Sequence, residues 1–282
     1  MRFYEKKESI SLNLQDLKYI ERIRSEKQAI SLMIHPYLGK ILIINGEIQH
    51  IEEYQGLYHE LLVHLPAAFL PTISSVLIIG GGSLFAAYEV LKYPTVQAVT
   101  LCDYDHVVLD VMARHYKHAE SVIQDPRFNY VESDGWEFIE HCSQKYDLII
   151  NDCFNLALES QKKSSSCFQM LLDHCAEPGV CVDIIYRHIF DRQVTEQTLA
   201  YLSDQKNLVL SLVTVPEYPG ILHIETIWGK SGFLSQHARS PVNLFQREIC
   251  RGRVKSPFQF FSPQNLGFYL YLPPYIKNKF NL

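Results

Sequence analysis

Residues 76–103, VLIIGGGSLFAAYEVLKYPTVQAVTLCD, decide the fold. A short apolar run, Val76 to Ile79, is followed by Gly80, Gly81 and Gly82. Leu84, Ala87, Tyr88 and Leu91 then share one face of a helix-like segment, and a second apolar run, Ala98 to Cys102, ends at Asp103. The periods give strand, glycine turn, helix and strand. Glycines permit a tight turn and a close backbone approach to a ligand. An acidic residue roughly 20 positions later, at the tip of the second strand, suits a ribose diol. The plainer alternative is a buried strand with a glycine-rich turn and a solvated Asp103. The spacing is neither GxGxxG nor a P-loop, so the pattern points to a nucleoside without saying which.

The flanking chain repeats the alternation. Val107, Val108, Val111 and Met112 line a helix to about His118. Phe128 to Val131 is a strand ending near Ser133-Asp134-Gly135, Trp136 to Cys142 a helix, and Tyr146 to Ile150 a strand ending at Asn151-Asp152. A Ser/Lys-rich loop, Ser160 to Ser166, leads into a helix to about Ala176. Pro178-Gly179 makes a turn before a strand from Val180 to Ile185. Asp191 to Ser203 reads as a helix, and Leu208 to Val215 with Leu222 to Trp228 as an antiparallel pair. Alternating strands and helices predict an α/β fold with a mostly parallel sheet covered on both faces. Ligands bind beyond the carboxyl ends of such strands, where Gly80, Asp103, Asp134 and Asp152 all fall. Ahead of this core, residues 1–53 read as a small β domain. Strands are expected over Leu17 to Arg24 and Gln28 to His35, then a hairpin turning on Asn45-Gly46. A helix with Tyr54, Leu57, Tyr58, Leu61 and Leu62 on one face opens the second domain, 54–282, and ends before Pro66.

The 282 residues are 47% hydrophobic and 20% charged, an ordinary globular composition. No apolar run reaches the ~18 residues of a membrane span, and the N-terminus is not signal-like. Seven cysteines without C-x-x-C spacing read as reduced thiols and predict a cytoplasmic protein. Twelve histidines lack ligand spacing, so no metal is expected. From Arg239 onward seven Lys/Arg meet one acid, Glu248, giving +6 and leaving −11 of the overall −5 to the rest. An acidic body disfavours nucleic acid and suits a cationic small molecule.

With these residues placed, the chain resembles the polyamine aminopropyltransferases, the spermidine synthase family, from about Gln28 to Pro273. The resemblance rests on LGKILIINGEIQ at 38–49, YHEL at 58–61, the glycine turn, SDGWEF at 133–138, YDLIINDC at 146–153, PEYPG at 216–220 and FFSPQNLGFYLYLP at 260–273. It implies a Rossmann-like, methyltransferase-type core behind a small β domain, a homodimer, and no permanently bound cofactor. It also implies a reaction: decarboxylated S-adenosylmethionine as co-substrate gives an aminopropyl group to putrescine or a related diamine. By resemblance Asp152 accepts the amine proton, and Gly80, Gly81, Gly82, Ser83, Asp103, Asp134, Gly135 and Gln28 meet the nucleoside. His59, Asn155 and Tyr218 then stand on the substrate side. Taken alone, Asp152 and Asp134 could each be a cap or turn residue, and His59, Gln28 and Tyr218 packing residues. The chain departs from the pattern where Ser83 and Asn155 replace aspartates, at Leu156, Glu159 and Leu266, and at Tyr54-Gln55-Gly56. Ser83 removes a charge that would repel an intact S-adenosylmethionine carboxylate. Methyl transfer and a non-catalytic nucleoside-binding protein are therefore the alternatives.

Overall fold

The computed structural model describes residues 3–7, 10–153, 161–185, 208–215, 217, 223–230, 234, 254 and 258–280. The chain opens with an antiparallel hairpin, β1 (Phe3–Lys7) and β2 (Ile10–Leu14). Four further antiparallel strands follow in sequence order: β3 (Lys18–Arg24), β4 (Ala29–His35), β5 (Gly39–Ile44) and β6 (Glu47–Ile51). Asn45 and Gly46 both have positive φ, 52° and 85°, as the two-residue hairpin turn demands. Alternation splits this sheet between two cores. Met33, Ile41, Ile43 and Ile48 gather with Leu17 and Ile51, while Ile30, Leu32 and Leu42 join the main core.

Helix α1 (Gly56–Ala67) carries the chain into the larger layer and is buried along almost its whole length. It runs one residue past Pro66, beyond the expected end. The proline removes one N–H from the last turn, and the Ala68 N–H closes that turn on the His64 carbonyl at 3.0 Å. The central sheet has seven strands in the order β12-β13-β11-β10-β7-β8-β9. They are β7 (Ser75–Gly80), β8 (Ala98–Asp103), β9 (Phe128–Glu132), β10 (Tyr146–Asp152), β11 (Cys175–Ile185), β12 (Leu208–Val213) and β13 (His223–Trp228). From β11 to β9 every pairing is parallel, and β13 lies antiparallel to both β11 and β12. Both faces are covered, so the strands alternate between two cores rather than between core and water. Val76, Ile78, Leu148, Ile150 and Val182 enter one cluster, and Leu77, Ile79, Ile149 and Cys181 the other.

Three elements differ from the sequence expectation. The helix expected to reach His118 breaks into α3 (His106–His115) and α4 (Lys117–Gln124) at Tyr116, which is extended. Tyr116 is buried there, its hydroxyl 2.8 Å from His50 Nε2 and its ring edge-on to Phe85. The Ser/Lys-rich stretch expected as a loop belongs to α6 (Gln161–His174). β11 starts at Cys175 instead of Val180: Tyr146 pairs with Cys175, Leu148 pairs with Val180, and the extra residues bulge out between them. The helix read over Asp191 to Ser203 lies outside the described residues. α2 (Phe85–Leu91) and α5 (Gly135–His141) sit where the periodicity places them.

Candidate active site

Four strands deliver the site to one edge of the sheet. Asp152 pairs with Gly80, Ile79 with Cys102, and Asp103 with Glu132. The register therefore lines up Asp152, Gly80, Asp103 and Glu132 across the carboxyl ends of β10, β7, β8 and β9. Gly80 and Gly81 each have a φ of +76°, a conformation that disfavours any other residue. Space is equally short. A side chain on Gly81 would press on Ile78 at 3.0 Å and on the Asp152 carboxylate at 3.2 Å. The glycine turn thus lets β7 turn directly beside Asp152 and Cys153. Leu84 takes the left-handed conformation too, at φ 64°, just ahead of α2. A branched residue without glycine's freedom stands there under strain.

Asp103 is held by backbone. Its Oδ2 accepts the Gly82 N–H at 3.1 Å and its Oδ1 the Asp105 N–H at 3.0 Å. Burial raises its pKa above the usual carboxylate value, against the pull of these two bonds. Gln28 is tied sideways: its amide donates to Asp105 Oδ2 at 2.9 Å and accepts from the Tyr104 hydroxyl at 2.7 Å. It clamps the start of β4 to the loop after β8, with Ser25 donating to the same Asp105 oxygen at 2.7 Å. Asp134 caps α5, its Oδ1 accepting the N–H groups of Trp136 and Glu137 at 2.9 and 3.1 Å. It is exposed, and its other carboxyl oxygen takes no part in the cap. Gly135 has no room for a side chain, because a Cβ would fall 2.2 Å from Ile79. Ser83 is half-buried, and its carbonyl accepts from His118 Nε2 at 3.3 Å.

The chemistry concentrates on Asp152. The Tyr58 hydroxyl, on α1, donates to its Oδ1 at 2.6 Å. Burial raises the carboxyl to about 7, against the lowering effect of the Tyr58 bond. Burial and the neighbouring Asp152 charge push the Tyr58 hydroxyl well above its normal range, so it remains a donor. A carboxyl that titrates near neutrality is suited to taking a proton in one step and losing it in the next. His59, next along α1, bonds through Nδ1 to the Gln55 carbonyl at 2.9 Å and lies against Phe85. Burial drives its pKa down to about 4, so the imidazole is neutral. Asn155 and Tyr218 lie outside the described residues.

A family model described as the spermine/spermidine synthase domain matches residues 55–237. The chain belongs to that family. Among curated relatives it is 28% identical to putrescine N-methyltransferase 2 of Nicotiana tabacum, over 90% of this chain and 73% of that protein. It is 26% identical to a polyamine aminopropyltransferase of Buchnera aphidicola subsp. Acyrthosiphon pisum (strain Tuc7), over 94% of this chain and 92% of that protein. The spermidine synthase structure from Thermotoga maritima superposes with a TM-score of 0.85 at 23% identity, covering all of this chain and 94% of that one. A spermidine synthase bound to the transition-state analogue AdoDATO gives 0.84 at 23%. At that identity the two structures establish the fold, a methyltransferase-like α/β core behind an antiparallel sheet.

Within the family frame, several site residues stand outside the sequence-based set. Tyr58 sits in the YHEL motif but has no chemical signature apart from its partner, a residue 94 positions away. Asp105 is a buried helix cap that also anchors Gln28 and Ser25, and an acid one turn before an apolar helix is the signal that could have found it. Glu60, also in YHEL, is buried and accepts three backbone N–H groups, from Gln259, Phe260 and Phe261, at 2.7 to 2.8 Å. It latches the C-terminal segment onto α1, two residues beyond Tyr58.

Proposed function

We propose that the protein transfers an aminopropyl group from decarboxylated S-adenosylmethionine to putrescine, yielding spermidine and methylthioadenosine. The observation that carries this reading is the Tyr58–Asp152 pair, a carboxyl with a pKa of about 7 beside the glycine turn. The acceptor arrives as an ammonium. Asp152 takes its proton and exposes the nitrogen lone pair, which forms a new bond to the propyl carbon. The carbon–sulfur bond breaks in the same step, its electron pair staying on sulfur, which becomes the neutral thioether of methylthioadenosine. A sulfonium is already an activated leaving group, so the protein need supply only deprotonation and in-line alignment. Asp103, with Gly80, Gly81 and Gly82 beside it, is the ribose side of this proposal. Asp134 and Gly135 are the adenine side, and Ser83 faces the transferred chain. His59, Asn155 and Tyr218 are assigned to the amine.

The relatives support an amine acceptor, since both curated names concern polyamines. The proposal extends to a cytoplasmic homodimer. The six cysteines among the described residues are free, and Tyr19, Ile20, Ile23 and Ile34 of β3 and β4 expose large apolar side chains, a surface suited to a second copy. The test is a product assay by mass spectrometry, with each cofactor form and a series of diamines. Spermidine and methylthioadenosine from the decarboxylated form confirm the reading. Methylputrescine from intact S-adenosylmethionine, with no aminopropyl transfer, overturns it.

A further inference from the structure

Glu225 lies in β13 and is fully buried. Among the described residues neither of its carboxyl oxygens has a hydrogen-bond partner. Its cross-strand neighbours are Ile184 on β11 and Ser211 on β12. The Ser211 hydroxyl turns away to the Tyr269 carbonyl at 2.7 Å. Burial alone moves the Glu225 carboxyl well above its usual range, so it rests as a neutral acid. It caps no helix and makes no ion pair among the described residues. Buried polar groups are almost always bonded, and an exception of this kind calls for a cause.

Its position in the sheet supplies one. Asn151 pairs with Asp183, so Asp152 stands level with Ile184, and Ile184 pairs with Glu225. Residues in one row of a sheet point to the same face. Ile150, two residues before Asp152, shares a core cluster with Ile184 and with Ile227, two residues after Glu225. Asp152 and Glu225 therefore stand on one face, two strands apart, about 10 Å from backbone to backbone.

We propose that Glu225 receives the far ammonium of an amine whose reacting nitrogen is held at Asp152, so that the site selects acceptors with two or more cationic nitrogens. This rests on the aminopropyl transfer reading and names its acceptor class. Both carboxyls and the alkyl chain between them would lie along one row of the sheet, with Ile184 beneath the methylenes. When the ammonium enters, the Glu225 proton leaves to solvent. The carboxylate and ammonium then neutralise each other, which a lone buried charge cannot achieve. A monoamine of the same length reaches Asp152 and leaves Glu225 as it was.

The experiment is calorimetry on the full chain with methylthioadenosine bound, titrating putrescine and, separately, n-butylamine. The wild-type protein should bind putrescine at least about tenfold more tightly. That preference should collapse in Glu225→Gln and in Glu225→Met, with methylthioadenosine affinity unchanged. Glu225→Met should also raise Tm, since an apolar side chain replaces an unbonded acid. A preference that survives in either folded variant overturns the proposal, as does its absence from the wild-type protein. Failure of both variants to fold would mark Glu225 as structural and overturn it equally. Failure of the transfer reading shows separately, as no methylthioadenosine release from the decarboxylated cofactor while the binding ratio stands.

Discussion

The two halves of the site's edge are built on opposite terms. On the β7–β8–β9 side every carboxylate is already bonded: Asp103 to two backbone N–H groups, Asp105 to Ser25, Gln28 and Val107, Asp134 to the start of α5. On the β10–β11–β13 side two acids are left wanting. Among the described residues Asp152 has one bond, from Tyr58, and Glu225 has none. The first arrangement fixes atoms before the ligand arrives, as suits a neutral nucleoside read by hydrogen bonds. The second holds acids near or above neutrality until cations arrive, and so couples binding to proton movement. Rigidity and proton affinity are thus separated along a single sheet edge.

The sharpest way to break this contrast is Asp152→Asn, which keeps size and removes the proton acceptor. Turnover should fall about 10²–10⁴-fold, the usual share of general base catalysis, while calorimetry finds methylthioadenosine affinity unchanged. The same variant should be more stable than wild type at alkaline pH. A carboxyl whose folded pKa rises from 3.8 to about 7 destabilises the fold once deprotonated, by up to about 4 kcal/mol. That cost is absent below pH 4 and complete above pH 7, so Tm curves for the two proteins should separate through that window. Curves that stay parallel would place the Asp152 carboxyl in an ordinary solvated state.

Asp103→Ala tests the bonded side. Losing a charged acceptor should weaken methylthioadenosine by ~1–3 kcal/mol, and equal binding by the two proteins would remove Asp103 from the nucleoside site. Tyr58→Phe sharpens the comparison further. The lost hydrogen bond was lowering the Asp152 pKa, so the activity limb that rises through about pH 7 should move up by about one unit, roughly tenfold in rate at neutrality. An unmoved limb would mean that another group takes the proton. The smallest expected effect belongs to Ser83→Asp. A charge there should tighten the decarboxylated cofactor by about 1 kcal/mol, fivefold or so, and weaken the intact one.

Much of this was legible in the chain because it follows local rules. The strand–glycine–helix–strand unit, the Asn45-Gly46 hairpin and the strand ends at Asp103 and Asp152 all come from periodicity and turn chemistry. Tyr116 escaped the reading because a long-range contact with His50 outweighed the helical pattern around it. Gln28 was read toward the nucleoside, yet Asp105 and Tyr104 hold its amide. Gly81 was read as clearance for a ligand, and its nearest constraint is Ile78 and Asp152. Glu225 reads like any strand residue until the sheet order places it level with Asp152. Such relations depend on which strands become neighbours, and a linear pattern carries that only indirectly.

The latch formed by Glu60 has a mechanical consequence. α1 grips the C-terminal segment at Glu60 and the proton acceptor at Tyr58, two residues apart on one rigid rod. A cut ahead of Phe258 would leave three backbone donors and one buried carboxylate without each other, and would strip α1 of that anchor. Damage at the tail would then be felt some 200 positions earlier in the chain, on α1, and through Tyr58 as a drift in the acidity of Asp152, which makes the pH profile a gauge of that latch.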